Sequence, residues 1–278
     1  MADLHTYISS VSTSGATRGL SFLGDGSRFY LGRYSGGVFI VEEYGMSALW
    51  DVTTAIATGN TFNTGVYGFT DVFITPDGAR TYVVEGTAQT IREYSGVFPA
   101  LTLQHTKNFL TELGGAFLSG MWMSEDGRDI FITNIAGALY HFTLGTAYNI
   151  STAVYVGSIS TGLTMFNPFY SGAWVSSTGK KIMFAEYVNM PGYIDIYSIF
   201  LGARFDLTSE VSREMNRTSI PIAGSAGSVV FACSGNIDED VFFINGILPN
   251  SINAVSAYTA TSVITFWTNF HGQTEITS

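Results

Sequence analysis

The chain has 278 residues, 46% of them hydrophobic, 14% aromatic and only 12% charged, with a net charge of −10. That length supports one large core or two small ones, and a charged fraction about half that of ordinary soluble domains leaves Ser, Thr, Asn, Gly and Tyr to cover the surface. An acidic chain whose twelve Lys and Arg form no run lacks the basic footprint of a non-specific nucleic-acid binder.

Cys233 is the only cysteine. It excludes an intrachain disulfide and a thiolate cluster, and between Phe231-Ala232 and Ser234 it reads as a small core residue. The N-terminal MADLHTYISS has neither a basic region nor an apolar run, so it is not a secretory signal, and no stretch approaches the roughly 20 apolar residues of a membrane helix. The expectation is synthesis in a cytoplasm and no membrane insertion.

In chain order, Thr6 to Ser12 reads as a strand with no preceding partners. From Gly19 to Ala55 follow an apolar strand, a DG turn, a second strand, a glycine turn, a third strand ending in Tyr44, and the loop LWDVTTA. The turn glycine after the first strand recurs as Gly26, Gly78, Gly127, Gly179 and Gly235, at spacings of 52, 49, 52 and 56 residues. The segments around it read GLSFLGDGSRFYLG, TDVFITPDGARTYVV, GMWMSEDGRDIFIT, GAWVSSTGKKIMFA and GSVVFACSGNIDEDVFFI. Each is an apolar run, a short turn and a Tyr-, Phe-, Ile- or Val-rich run, which is a hairpin pattern. Third strands follow at Gly37–Tyr44, Gln89–Tyr94, Gly137–Leu144, Tyr193–Phe200 and Ile252–Tyr258.

The aromatic-Asp/Asn-x-Thr/Ser loop recurs as LWDVTTA, YNISTA and FDLTSE, and suits an Asx-type turn with the aromatic plugging the gap beneath. Repeat two has FPALTL instead. A fourth strand is clearest at Val154–Ser160. Tyr7-Ile-Ser-Ser-Val-Ser-Thr13 matches Tyr155-Val-Gly-Ser-Ile-Ser-Thr161, which predicts that the N-terminal strand closes the last blade. Ser262–Phe270 competes for that place. Lys107–Phe117 and Thr208–Arg217 are each expected to form one or two helical turns.

Four short antiparallel strands repeated at this period predict an all-β fold: one β-propeller domain over residues 1–278, with five blades of four strands, or alternatively six, the ring closed by the N-terminal strand. First strands then line the central channel. Five residues before each anchor stand Ser21, Phe73, Trp122, Trp174 and Val230. These are either an aromatic platform for a sugar or packing between blades, and packing is the favoured reading. Seven before stand Gly19, Asp71, Gly120, Gly172 and Ser228. Small residues suit a crowded axis, and Asp71 departs from them toward the channel mouth.

The repeat DGxxxYV…YxL…WDxTTA resembles YVTN-type propeller repeats of bacterial surface proteins and repeats of phage-encoded propellers, over roughly Thr6 to Tyr258. The resemblance implies a propeller and carries no catalytic residue onto this chain, because propellers host lectins, lactonases, glycosidases and scaffolds.

Candidate chemistry is sparse. Asp25, Asp77 and Asp126 precede turn glycines, and Asp51 and Asp206 sit in the Asx-type loop, so turn chemistry accounts for them rather than the paired acids of a glycosidase. Asp238-Glu239-Asp240 lacks the spacing of a calcium loop and reads as a solvated turn. His5, His105, His141 and His271 show no zinc spacing. Glu85 and Asn134 are remote candidates for a lactonase-type metal, and Asn149 and Asn216 fit glycosylation acceptors only formally. No catalytic, cofactor-binding or metal-binding residue is assigned, no cofactor is expected, and the binding surface is unknown. The expected function is that of a non-enzymatic phage virion protein, of tail, fibre or capsid surface, whose partners are other virion proteins and a host-surface glycan or receptor. A lectin-like propeller is the alternative, and a lactonase- or glycosidase-type hydrolase the second.

Overall fold

The structure, a computed structural model, describes residues 6–14, 17–35, 38–161, 172–187, 193–219, 229–235, 241–247 and 252–259. Its twenty strands begin with β1 (Thr6–Ser14). Then come β2 (Thr17–Phe22), β3 (Arg28–Ser35), β4 (Val38–Met46) and β5 (Ala55–Asn63), followed by β6 (Phe69–Ile74), β7 (Arg80–Glu85), β8 (Thr90–Ser95) and β9 (Thr102–Asn108). The third set is β10 (Leu118–Met123), β11 (Asp129–Asn134), β12 (Ala138–Leu144) and β13 (Ala153–Ser160). The fourth is β14 (Trp174–Val175), β15 (Lys181–Tyr187), β16 (Tyr193–Leu201) and β17 (Glu210–Ser219). Last are β18 (Val229–Gly235), β19 (Val241–Ile247) and β20 (Ile252–Thr259).

The sheets β2–β5, β6–β9, β10–β13 and β14–β17 each take four consecutive antiparallel strands. First strands neighbour one another: β2 packs against β6, β6 against β10, β14 against β18, and β18 against β2. Gly120 of β10 meets Gly172, just ahead of β14. Antiparallel sheets set around one axis by their first strands make a β-propeller.

The expectation of five like blades, or of six, needs correction. Four blades are made of four consecutive strands each. The other four strands form a composite sheet of order β1-β20-β19-β18, in which the N-terminal β1 is the outer strand. Five anchor glycines count turns; they do not count blades of one continuous build. Cys233 and Val230 lie on β18. Asp238–Asp240, Ser228, His5, His271 and the segment Ser262–Phe270 fall outside the described residues.

Apolar cores lie between blades. Tyr30 and Val41 of the first blade pack with Val72 and Val83 of the second. Tyr82 and Ile91 of the second pack with Met121, Ile130 and Phe142 of the third. Phe131 and Leu139 of the third pack with Val175, Ile182 and Phe184 of the fourth. Each blade is therefore apolar on faces that only its neighbours cover.

The aromatic-Asx loop is a 3₁₀ turn capped by Asp51, Asn149 or Asp206, whose side chain accepts from the N–H of Thr53, Ser151 or Thr208. The aromatic before it has positive φ: 62° at Trp50, 63° at Tyr148 and 58° at Phe205. That conformation costs about 1–2 kcal/mol. It aims each aromatic N–H at the carbonyl of its own turn glycine, Gly26, Gly127 or Gly179, at 2.8–2.9 Å. It also lays the ring where a Cβ on that glycine would stand. The expected helical turns are met only in part: Leu113 N–H bonds the Phe109 carbonyl at 3.0 Å, one such turn, and no helix extends from it. Glu210–Ser219 is strand β17, and the stretch after β9 is a series of turns from Leu110 to Gly115. Continuous antiparallel pairing with β16 holds β17 in the sheet, where a short uncapped helix would be marginal.

Candidate functional site

Asp71 sits at the axis, not at the channel mouth. It is 3% exposed. Its Oδ1 accepts from Val72 N–H at 2.9 Å, its Oδ2 accepts from Met121 N–H of the next blade at 3.0 Å, and Leu20 N–H of the preceding blade also donates to it. A Cβ added to Gly19, Gly120 or Gly172 would meet the carboxylate at 2.7–2.9 Å. The small residues predicted for the axis thus make room for one acid that ties three blades together. Burial pushes its pKa well above the usual carboxylate value, and the three amide donors pull it back.

Beside Asp71 the inner strands of four blades line a cavity of about 120 Å³. Ser21, Phe73, Trp122 and Trp174 all contribute to its wall. Met121 and Met123 add apolar surface, and exposed Glu125, Ser177 and Arg204 stand at its rim. The aromatics also pack: Trp122 lies 6.0 Å from Phe131 and 5.9 Å from Phe205, centroid to centroid. Packing between blades and lining of a cup are therefore the same arrangement seen from two sides.

The regular acids are engaged in turns. Asp25, Asp77 and Asp126 accept from the N–H two residues on, Ser27, Ala79 and Arg128, at 2.9–3.1 Å. Their pKa values lie below the usual range, held there by the Ser27 backbone and hydroxyl, the Thr75 hydroxyl and the Ser124 hydroxyl respectively. Asp206 is lowered by Thr208 in the same way. Glu85 pairs with Arg92 at 3.3 Å. Asn134 accepts from Ala136 and Ala138 N–H and donates to Tyr140. His105 lies on β9, in register opposite Glu93 of β8. Among the described residues no group of three or more His, Cys, Asp or Glu is placed to hold a metal ion.

One set of positions escaped sequence reasoning. The third-strand residue opposite Tyr30, Tyr82, Phe131 and Met183 is Glu43, Glu93, His141 and Ser198. All four are buried. Glu43 pairs with Arg28 at 3.2 Å and accepts from Tyr30, Thr58 and Asn60. Burial pushes its pKa up, and these donors more than offset that, leaving it below the ordinary glutamate value. Glu93 pairs with Arg80 and accepts from Ile150 N–H of the next blade's loop at 2.9 Å. In the third blade the acid changes strands: Asp129 stands where Arg28 and Arg80 stand, and bonds His141 Nε2 at 2.8 Å. The His141 ring stacks on Phe131, 4.7 Å away with planes 6° apart. Beside it, between the third and fourth blades, a groove of about 460 Å³ is lined by Asp126, Asp129, His141, Val156, Arg204 and the Phe205–Thr208 loop. Aligning the repeats on the third strand, with its E/E/H/S column opposite R/R/D/K, is the signal that would have found it.

No protein-family model and no curated protein matches the chain. Similar solved structures include a functionally unknown protein from Desulfotomaculum acetoxidans, 14% identical, covering 90% of this chain and 73% of that one at a TM-score of 0.49. The β-propeller domain of Cps50 (Swd1) from Myceliophteria thermophila is 9% identical, with coverages of 92% and 100% and a TM-score of 0.47. A candidate 6-phosphogluconolactonase from Bacteroides uniformis is 12% identical, with coverages of 82% and 66% and a TM-score of 0.45. Likeness at this level is likeness of fold, and the propeller assignment rests on the strand pairing itself.

Proposed function

We propose that the chain is a non-enzymatic binding propeller of a virion surface that takes one ring of a host-surface glycan in its axial cup. The observation that carries the binding reading is the engagement of the acids around that cup. Asp71 spends its lone pairs on backbone N–H groups, so aromatic faces meet a ligand there while paired free carboxylates do not. A concave, mostly apolar site with aromatic side chains in its wall and a few polar rim groups suits the C–H face of a sugar ring. The virion setting is supported by the 12% charged content, since interface cores are depleted in charge, and by the resemblance of the repeats.

A glycan array probed with the full chain and with Trp122→Leu tests the binding. Leu keeps apolar packing against Phe131 and Phe205 but removes the stacking face. We expect array hits with the wild type that W122L loses at unchanged fold; no hits with a folded wild type overturns the glycan reading. Mass spectrometry of purified virions tests the setting, with tens of copies per particle expected and absence counting against it.

A further inference from the structure

We infer that the glycan ring taken in the axial cup is an acidic one, whose carboxylate is held by Arg204. This names the ligand class of the cup and rests on the glycan reading.

Arg204 is the only cation among the residues that line the cup. It stands one residue ahead of the aromatic of the fourth blade's Asx loop. The matching positions in the first and third blades are Leu49 and Ala147, so those loops place no charge there. Two contacts fix the side chain. Its stem lies over Gly179, where an added Cβ would meet Arg204 Cγ at 2.7 Å. Its guanidinium lies 4.7 Å from the centre of the Phe205 ring, and Phe205 is the ring that stands 5.9 Å from Trp122. Aromatic wall and cation are thus neighbours through one shared ring, and a sugar stacked on Trp122 has the guanidinium at its edge.

That guanidinium is not spent. Arg28, Arg33, Arg80, Arg92 and Arg213 each pair with a Glu. Among the described residues no carboxylate pairs with Arg204. Asp126 feels its charge, but Asp126 Oδ1 is engaged by the Ser124 hydroxyl and Arg128 N–H. The contact with Phe205 uses the charge of the guanidinium and none of its hydrogen bonds. Its planar fork of N–H donors matches a carboxylate, which it takes through two parallel bonds. The cup's own acids leave that fork open. Asp71 accepts from backbone N–H groups, and the charge of Glu125, on the third blade, is felt at Tyr148.

A glycan array carrying neutral, carboxylated and sulfated glycans, probed with the full chain, tests the inference. The hits should be carboxylated. Calorimetric titration with each acidic hit and with its carboxyl-reduced form, in which the carboxylate becomes an alcohol, should show at least tenfold weaker binding of the reduced form. That comparison uses the wild type alone. Arg204→Gln should melt like the wild type and bind both forms equally. Arg128→Gln removes an exposed cation that does not line the cup and should keep the preference for the acid. Hits confined to neutral or sulfated glycans overturn the inference and leave the glycan reading standing; no hits at all overturn both. Equal loss of preference in R204Q and R128Q also overturns it, since net charge would then account for the effect.

Discussion

Residue by residue, the propeller places its polar groups where backbone donors need them. Asp71 and Glu93 do the same work at different radii: each is buried in one blade and accepts an N–H from another. Replacing Glu93 by Ala would leave Arg80 without its partner and Ile150 N–H buried without an acceptor. Such a loss costs about 2–3 kcal/mol. Urea unfolding of E93A should show that decrease, and Glu93→Gln, which keeps an acceptor for Ile150, should lose less. Equal losses would show that the ion pair and not the inter-blade hydrogen bond carries the effect. Asp71 was visible in the sequence as the one acid in a column of small residues. Its role was not, because the donors that satisfy it come from β2 and β10, about fifty residues away on either side.

At the scale of elements, the turn and the loop of each repeat form one unit. The DG glycine supplies positive φ, and the aromatic of the Asx loop folds back over it, its N–H on the glycine carbonyl. The second blade lacks the aromatic: Gly78 meets Leu23 of the first blade, and Phe98 packs edge-on against Tyr30 instead. Both pieces were legible as recurring motifs, and their mutual contact was not. The fourth strands were legible only in part. β17 carries charged residues at close intervals, and a helical turn competed with strand in that composition until the register against β16 decided it. β1 was legible through its match to Tyr155–Thr161, which placed it at the edge of the last sheet, and its partner there is β20. Removing residues 1–14 would expose the β20 edge along its length, and open edges invite pairing with other chains. Light scattering and thermal melting should show a lower melting temperature and aggregation; an unchanged, monodisperse truncation would mean that the pairing adds nothing to stability.

For the molecule as a whole, the cores between blades make the ring cooperative, because no blade covers its own faces. The same closeness creates a cup and a groove. The cup forms where four inner strands converge, and the groove forms where the third blade's pair of Asp129 and His141 faces the fourth blade's loop. The sequence by itself determined the all-β class, the roughly fifty-residue repeat, the turn chemistry at Asp25, Asp77 and Asp126, and the crowded axis, because these depend on local backbone preference and on side-chain size. Only the tertiary structure decided that Asp71 is a brace between blades, and that Glu93 of the second blade caps Ile150 N–H of the third. Each of those rests on which distant backbone or side chain arrives within hydrogen-bonding distance, and such contacts exist only once the blades have closed around their axis.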